Sequence, residues 1–212
     1  MSEAAASAEA ETRRAHWERV YAEKGEDALS WFEPRAETSL ALIDAAGLAL
    51  DAVVDIGAGT SRFVDALIAR GVAEITLLDL SETALARTRA RLGTDAARVR
   101  FVTADVTTWA PERTFDLWHD RAAFHFLTAP EARAAYLERL AAALRPGGHA
   151  LIATFAADGP ERCSGLPVQR YDPDDLAATF GPGFALRAAR RVVHRTPWGS
   201  EQRFQASLFQ RT

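Results

Sequence analysis

Cysteine is nearly missing from this chain of 212 residues, with Cys163 standing alone. A single thiol forms no intramolecular disulfide and no cysteine-rich metal site. It fits a reducing compartment, so a cytoplasmic setting is expected. Long apolar runs are absent too. The most apolar stretch, residues 40–59, is interrupted by Asp44, Asp51 and Asp55. Ionised carboxylates are costly in hydrocarbon, so no membrane span is expected. The N-terminus is rich in Ser, Glu and Ala and has no apolar core of the secretory kind; residues 1–10 read as a mobile tail. Excess positive charge is lacking: 25 Lys and Arg against 29 Asp and Glu leave a net −4. That balance is a poor basis for generic binding of nucleic acid or anionic membrane. His16, His119, His125, His149 and His194 show no zinc-type spacing, so no metal site is expected.

What is present has the proportions of an ordinary globular protein, at 48% hydrophobic and 25% charged residues. The length suits one α/β domain with an attached segment. Trp17, Val20 and Tyr21 at helical spacing predict an amphipathic helix over 11–24, and Leu40, Ile43 and Ala46 predict a second over 35–47. Strands and helices then alternate. Strands are predicted at 53–56, 75–78, 99–103, 115–118 and 150–155, each short and apolar enough to be buried on both faces. Helices are predicted between them, at 60–70, after Ser81, and from a capping box at Thr128-Ala-Pro-Glu131 to Leu144. Arg145-Pro146-Gly147-Gly148 reads as that last helix's stop. Asp172-Pro173 starts another helix. Residues 184–194 and 203–209 read as a hairpin around Pro197-Trp198-Gly199. The order predicts a doubly wound, mostly parallel sheet with helices on both faces and an antiparallel strand near one edge.

The most informative local feature is Val53-Val-Asp55-Ile-Gly57-Ala58-Gly59, with Asp79 about twenty residues further on. Such a strand, glycine turn and distant acid form a nucleoside-binding βαβ unit. Arg62 stands where a dinucleotide fingerprint needs a small residue, which weakens a nicotinamide dinucleotide. The lysine of a P-loop is absent. Asp55, Asp79 and Asp105 around one site suit a cationic ligand better than a pyrophosphate, which prefers amides and positive charge.

These motifs, with Ala104-Asp105-Val106, Phe115-Asp-Leu-Trp118-His119-Asp120 and Leu144-Arg-Pro-Gly-Gly148, resemble the class I S-adenosylmethionine-dependent methyltransferases over residues 50–155. The resemblance implies a seven-stranded Rossmann-like sheet with a C-terminal antiparallel hairpin, in one domain comprising a helical lid (11–47), a cofactor-binding core (48–155) and an acceptor segment (156–212). It implies S-adenosylmethionine as the methyl donor. Gly57, Ala58 and Gly59 would pass beneath ribose and methionine, and Asp55 would organise the amino-acid end. Asp79 would bind ribose hydroxyls, and Leu80 would flank the adenine. Asp105 and Val106 would meet adenine nitrogens, and the His119 carbonyl would accept from the ammonium. Trp17 and Trp31, with Tyr21 and Phe32, form an aromatic set suited to a cationic ligand through cation–π contact.

His119, Asp120 and His125 are the candidate general bases after the fourth strand, and Arg121 is a candidate anchor for an anionic acceptor or a partner of Asp120. The long segment 156–170 reads as a functional loop, with Glu161 and Arg162 as possible substrate contacts and Cys163 as an ordinary thiol. The Asp/Asn-Pro-Pro-aromatic signature of amino-group methylation is absent, and a lone cysteine disfavours arsenite as acceptor. A small-molecule acceptor is favoured. A protein lysine is the alternative, since the aromatic lead-in and closing hairpin are also similar to seven-stranded lysine methyltransferases. An NAD-dependent oxidoreductase or a non-catalytic cofactor-binding module is a remote alternative. Oligomeric state is not readable.

Overall fold

Alternating apolar side chains on short strands decide which layers this chain forms. A computed structural model describes residues 3–212, with side chains described from residue 11. The elements are α1 (Glu3–Glu23), α2 (Glu37–Ala45), β1 (Ala52–Ile56), α3 (Phe63–Ala69), β2 (Glu74–Asp79), α4 (Glu82–Leu92), β3 (Val99–Thr103), β4 (Phe115–Arg121), α5 (Pro130–Ala143) and β5 (Leu144–Phe155). A small ribbon follows, β6 (Arg162–Cys163) and β7 (Leu166–Pro167), then α6 (Pro173–Phe180), β8 (Phe184–Arg195) and β9 (Glu201–Arg211). Seven strands make one sheet in the order β3-β2-β1-β4-β5-β9-β8. Strands β1 to β5 are mutually parallel, and β9 runs antiparallel between β5 and β8. The strand order reverses between β1 and β4. Open α/β sheets bind ligands in the crevice at such a reversal, outside the carboxyl ends of the strands.

Period-two alternation feeds both faces of the sheet. Val53, Leu117, Leu151 and Leu208 point to one side, where Ile43 of α2 and Phe63 and Leu67 of α3 cover them. Val54, Trp118, Ile152 and Phe209 point to the other, under Tyr136 and Leu140 of α5 and Leu176 and Phe180 of α6. All of these are buried.

Helix α1 lies outside both layers and packs Val20 and Tyr21 against Ala84 of α4. Two reciprocal caps hold it there. The Glu18 carboxylate accepts from Ser81 Oγ at 3.0 Å, Glu82 N at 2.6 Å and Thr83 N at 3.2 Å, which satisfies free donors at the start of α4. Arg87 of α4 donates in return to the Lys24 carbonyl at 2.5 Å, at the end of α1. Opposite charges at opposite helix ends also complement the two macrodipoles.

Three local expectations are corrected. Helix α1 begins at Glu3, so the tail expected over 1–10 falls mostly within it; residues 1 and 2 lie outside the described residues. Thr128 makes no cap. Helix α5 starts later, at Pro130, whose missing N–H and fixed φ suit a first turn, and Ala129 is its N-cap. Helix α5 does end before Arg145-Pro146-Gly147-Gly148, but the strand expected from 150 already opens at Leu144 and takes in this run; it shifts register against β4 between Phe115 and Leu117. Gly148 is required there: a Cβ would stand 2.9 Å from the Arg145 carbonyl and 3.2 Å from that of Phe115. The caps expected from Ser81 and Asp172 are both formed.

Candidate active site

The glycine turn leaves β1 at the point of strand reversal. Gly57 and Gly59 have φ of +62° and +49°, in the left-handed region that glycine adopts without strain. Space demands glycine as well. A Cβ on Gly57 would lie 2.6 Å from Cβ of Ala123, and one on Gly59 would collide with the Tyr21 hydroxyl. Ala58 N donates to the Leu78 carbonyl at 3.1 Å, and Thr88 Oγ1 donates to the Gly59 carbonyl at 2.8 Å. The turn is therefore pinned to β2 and α4. Arg62, which breaks the dinucleotide pattern, pairs with Glu26 instead.

Asp79 closes β2 and reaches back to this turn. Its Oδ2 accepts from Gly59 N and its Oδ1 from Ser81 N, both at 2.8 Å. Burial pushes its pKa up to about 6, against the pull of those two donors; the nearby charges of Asp55 and Glu18 add to the rise. Asp105, after β3, sits in a different field. Burial raises its pKa, but hydrogen bonds from Thr107 and the Arg13 guanidinium outweigh that and hold it low. Arg13 comes from α1 and meets Asp105 at 2.8 Å.

Asp55 and His119 face each other across the β1–β4 register. His119 Nδ1 lies 2.6 Å from Asp55 Oδ1, and its Nε2 lies 2.8 Å from Ser39 Oγ of α2. The ring packs over Phe63, with centroids 4.0 Å apart. Both ring nitrogens are thus engaged, and the imidazole fixes the carboxylate. Asp55 Oδ2 is buried without a partner. A buried, unpaired carboxylate oxygen is costly and needs a donor, which a bound ammonium group supplies.

These residues line a cleft in two connected parts. The first, with about 790 Å³ of open volume, is bounded by Asp79, Leu80, Asp105 and Val106 on one side and by Trp17, Phe126 and Cys163 on the other. The second, with about 540 Å³, is bounded by Asp55, Ala58, Thr60 and His119. Tyr21, Trp31, Gly57 and Arg121 line both parts. Trp17 meets Trp31 edge to face at 5.7 Å and Phe126 at 5.0 Å, so the aromatic set is one continuous wall.

Eleven residues were expected to contact the cofactor. Ten line the cleft, and Gly59 forms the turn against Tyr21 and Asp79. The candidate bases fare differently. Asp120 does not line the cleft. Its Oδ1 accepts from Ala123 N and Phe124 N, at 3.0 and 3.1 Å, and its Oδ2 from the Tyr136 hydroxyl at 2.8 Å. It holds the loop after β4, with its pKa raised to about 6 chiefly by burial. His125 lies behind Phe126, and its Nδ1 accepts from Phe155 N at 3.3 Å. Burial and then Arg121 lower its pKa to about 3, so the ring is neutral. The His119 ring is committed to Asp55 and Ser39. Arg121 does not pair with Asp120; it donates to the Trp31 carbonyl at 2.8 Å and to Glu33 at 2.7 Å. Glu161 and Arg162 are occupied within their own loop, by Arg170 and the Gly165 carbonyl.

Sequence reasoning left Arg13 and Ser39 out of the site and placed Tyr21 only in the aromatic set. The closer role of Tyr21 was within reach, because it follows Trp17 by one helical turn on the same face. Ser39 carried no signal, since only the docking of α2 brings it to His119.

Known proteins of similar sequence and fold point to one family. The family described as "Methyltransferase domain" matches residues 53–148. Thiocyanate methyltransferase 1 of Arabidopsis thaliana is 30% identical over 185 residues, 85% of this chain and 78% of that protein. The malonyl-(acyl-carrier protein) O-methyltransferase of Paenibacillus sp. (strain JDR-2) is 35% identical over 111 residues, 49% of this chain. Those residues are only 38% of that relative, so the chain spans well under half of its length. Among solved structures, the 1,6-didemethyltoxoflavin-N1-methyltransferase of Burkholderia thailandensis, with 1,6-didemethyltoxoflavin and S-adenosylhomocysteine bound, superposes with a TM-score of 0.67 and 28% identity. The match covers 84% of this chain and 77% of that one. The chain belongs to the class I S-adenosylmethionine-dependent methyltransferase family.

Proposed function

We propose that this protein transfers the methyl group of S-adenosylmethionine to a small-molecule acceptor. The observation that carries the reading is the cleft itself. Three carboxylates surround it, and the buried Oδ2 of Asp55 has no partner. These residues fit a ligand with a cationic amino-acid end, a ribose and an adenine. In the proposed arrangement Asp55 takes the ammonium, Asp79 the ribose hydroxyls, and Asp105 with Val106 the adenine edge. Leu80 packs on the adenine face. Gly57 and Gly59 admit the ligand against backbone. When bound, S-adenosylmethionine supplies an electrophilic methyl group on a positively charged sulfur.

The chain's own residues then have positional work. A ligand that fills both parts of the cleft passes Tyr21, Trp31, Gly57 and Arg121, which line both. The aromatic faces of Trp31 and Tyr21 attract positive charge there, by about 0.5–2 kcal/mol each. Trp17, Trp31 and Phe126 exclude water, and a dry, shaped site that aligns acceptor and methyl group accounts for most of the rate. A reducing cytoplasm fits the single buried thiol of Cys163, whose pKa burial pushes up to about 11. No described helix is long and apolar enough to cross a membrane.

Calorimetric titration tests the reading. S-adenosylmethionine and S-adenosylhomocysteine are expected to bind with one site per chain, and NADH is not. Binding of NADH with no response to either sulfur compound overturns the assignment.

A further inference from the structure

We propose that the acceptor is a small organic anion, a carboxylate or a thiolate, which reaches the cleft with its nucleophilic atom already deprotonated and is oriented by Arg121. The inference rests on the methyltransferase reading above and concerns the other substrate. Its ground is which groups line the cleft, how each is engaged, and where Arg121 stands among them.

Besides the acids, the first part of the cleft is lined by Arg121, Ala122, Ala123, Phe126, Leu127 and Cys163. Among the described residues, none of these is a base at neutral pH. Burial keeps the Cys163 thiol protonated. Burial, with the neighbouring charge of Asp79, likewise keeps the Tyr21 phenol protonated. Every other proton acceptor on the cleft is engaged or faces the cofactor. Asp79 holds two backbone amides and Asp105 holds Thr107 and Arg13; Asp55 holds His119 through Oδ1, and its Oδ2 is the atom that takes the cofactor's ammonium in the proposed arrangement. Glu33 is paired to Arg121. His16 and His125 pack against the rings of Trp17 and Phe126 and do not line the cleft.

An acceptor that must lose a proton in the cleft therefore finds no group to take it. A lysine or other ammonium has a second difficulty, because it meets Arg121 and a cationic cofactor with like charge. An anion meets both with opposite charge. Arg121 is well placed to orient one, because Trp31 and Glu33 hold its guanidinium still and it stands 5.2 Å from the Phe204 ring centroid. Three of its five N–H groups are unused by these bonds, and a planar fork of donors orients an oxygen or sulfur anion. In the step, the acceptor's lone pair forms the new bond to the methyl carbon. The carbon–sulfur bond breaks and leaves its electron pair on sulfur. One negative and one positive charge cancel, and no proton is released.

The test uses the full chain with benzoate, thiophenol, benzylamine and a lysine-containing peptide as probes. Each is first titrated into the protein saturated with S-adenosylhomocysteine, following tryptophan fluorescence from the Trp17 and Trp31 wall. Turnover is then read in a weakly buffered pH-stat. Benzoate or thiophenolate is expected to bind, and the two arms separate an oxygen from a sulfur nucleophile. Benzoate turnover releases no proton. Thiophenol turnover has a kcat/KM that rises with pH only as far as the thiol's own pKa, with no second limb from the enzyme. Arg121→Gln is expected to raise the KM of the anion by on the order of tenfold or more, and Arg121→Lys to recover part of the loss. Faster methylation of benzylamine or the peptide overturns the proposal, as does a saturated complex that binds neither anion. If S-adenosylhomocysteine itself fails to bind, the methyltransferase reading falls, and this inference with it.

Discussion

Replacing Asp79 by Asn should make the ligand-free protein more stable as pH rises, relative to the parent, while crippling cofactor binding. Burial raises the Asp79 pKa to about 6, from an ordinary value of 3.8. Between those values the folded state binds more protons than the unfolded state. Stability contributed by this group is therefore present below pH 4, declines as pH rises to 6, and stays lost above. The gap of about two pKa units corresponds to roughly 3 kcal/mol at 1.36 kcal/mol per unit. Asn does not ionise, so that loss disappears in the variant. It brings a separate, pH-independent cost, because its amide nitrogen must face one of the two backbone N–H groups that Asp79 now satisfies. The stability of Asp79→Asn minus that of the parent should thus climb by about 3 kcal/mol between pH 4 and 7. Asp120, whose pKa burial also raises to about 6, titrates in the same range, but it is common to both proteins and cancels in the difference. Urea unfolding at each half pH unit reads the slope. Calorimetry at pH 7.5 reads the other half: loss of charge-assisted bonds to ribose should weaken S-adenosylhomocysteine by about 10- to 100-fold. A flat difference profile refutes the desolvated carboxylate. An unchanged dissociation constant in a folded variant refutes its place in the site.

Further perturbations separate scaffold from site. Tyr136→Phe removes a hydroxyl that accepts from Trp118 Nε1 at 2.7 Å and donates to Asp120. It should cost about 1–3 kcal/mol, a fall of roughly 2–10 °C in melting temperature; a shift below about 1 °C contradicts the network. Gly59→Ala should weaken S-adenosylhomocysteine at least about tenfold through its clash with Tyr21, whereas Gly47→Ala, at a similar φ with open space around it, should lose only about 1 kcal/mol of stability and no affinity. Equal affinities for the two variants would show that the Tyr21 contact does not shape the cleft. His119→Ala strands Asp55 Oδ1 and Ser39 Oγ in the core and should cost about 3 kcal/mol, read by urea unfolding; an unaltered midpoint denies the relay.

Strand positions were legible because each is a short apolar run whose alternation is consumed by two covering layers. The carboxylate set was legible for a related reason. Asp55, Asp79 and Asp105 all stand at the carboxyl ends of parallel strands, which the sheet brings to one edge, and all three line the cleft there. The candidate bases misled for a physical reason too. His119, Asp120 and His125 lie in one short stretch, but the extended β4 sends successive side chains to opposite faces. His119 meets α2 on one face, while Asp120 turns back to cap the loop that follows and His125 is buried beyond it. The start of β5 was expected six residues late because the Pro-Gly-Gly run that ends α5 also permits a tight backbone approach within a sheet, and only the neighbouring carbonyls of Phe115 and Asp116 reveal the second role. Tertiary partners from α1 and α2, such as Arg13 and Ser39, leave no local trace.

The charge layout of the cleft joins stability to chemistry. Carboxylates are concentrated at the ends of β1, β2 and β3; at Asp79 burial makes the charge expensive, by roughly 3 kcal/mol above pH 6. In the proposed arrangement, hydrogen bonds from the ribose hydroxyls offset part of that cost when the ligand binds. The end of β4 carries the opposite sign in Arg121, held by Glu33 and Trp31. A methyl transfer from a cation to an anion removes charge from both sides at once. A site with acids on the donor side and a guanidinium on the acceptor side stabilises the separated charges of the reactants, so it favours capture more than it favours the step itself. The acceleration must then come from alignment and exclusion of water by Trp17, Tyr21, Trp31 and Phe126. It follows that trimming this aromatic wall should lower kcat, whereas altering the charged residues should act mainly on Kd and KM.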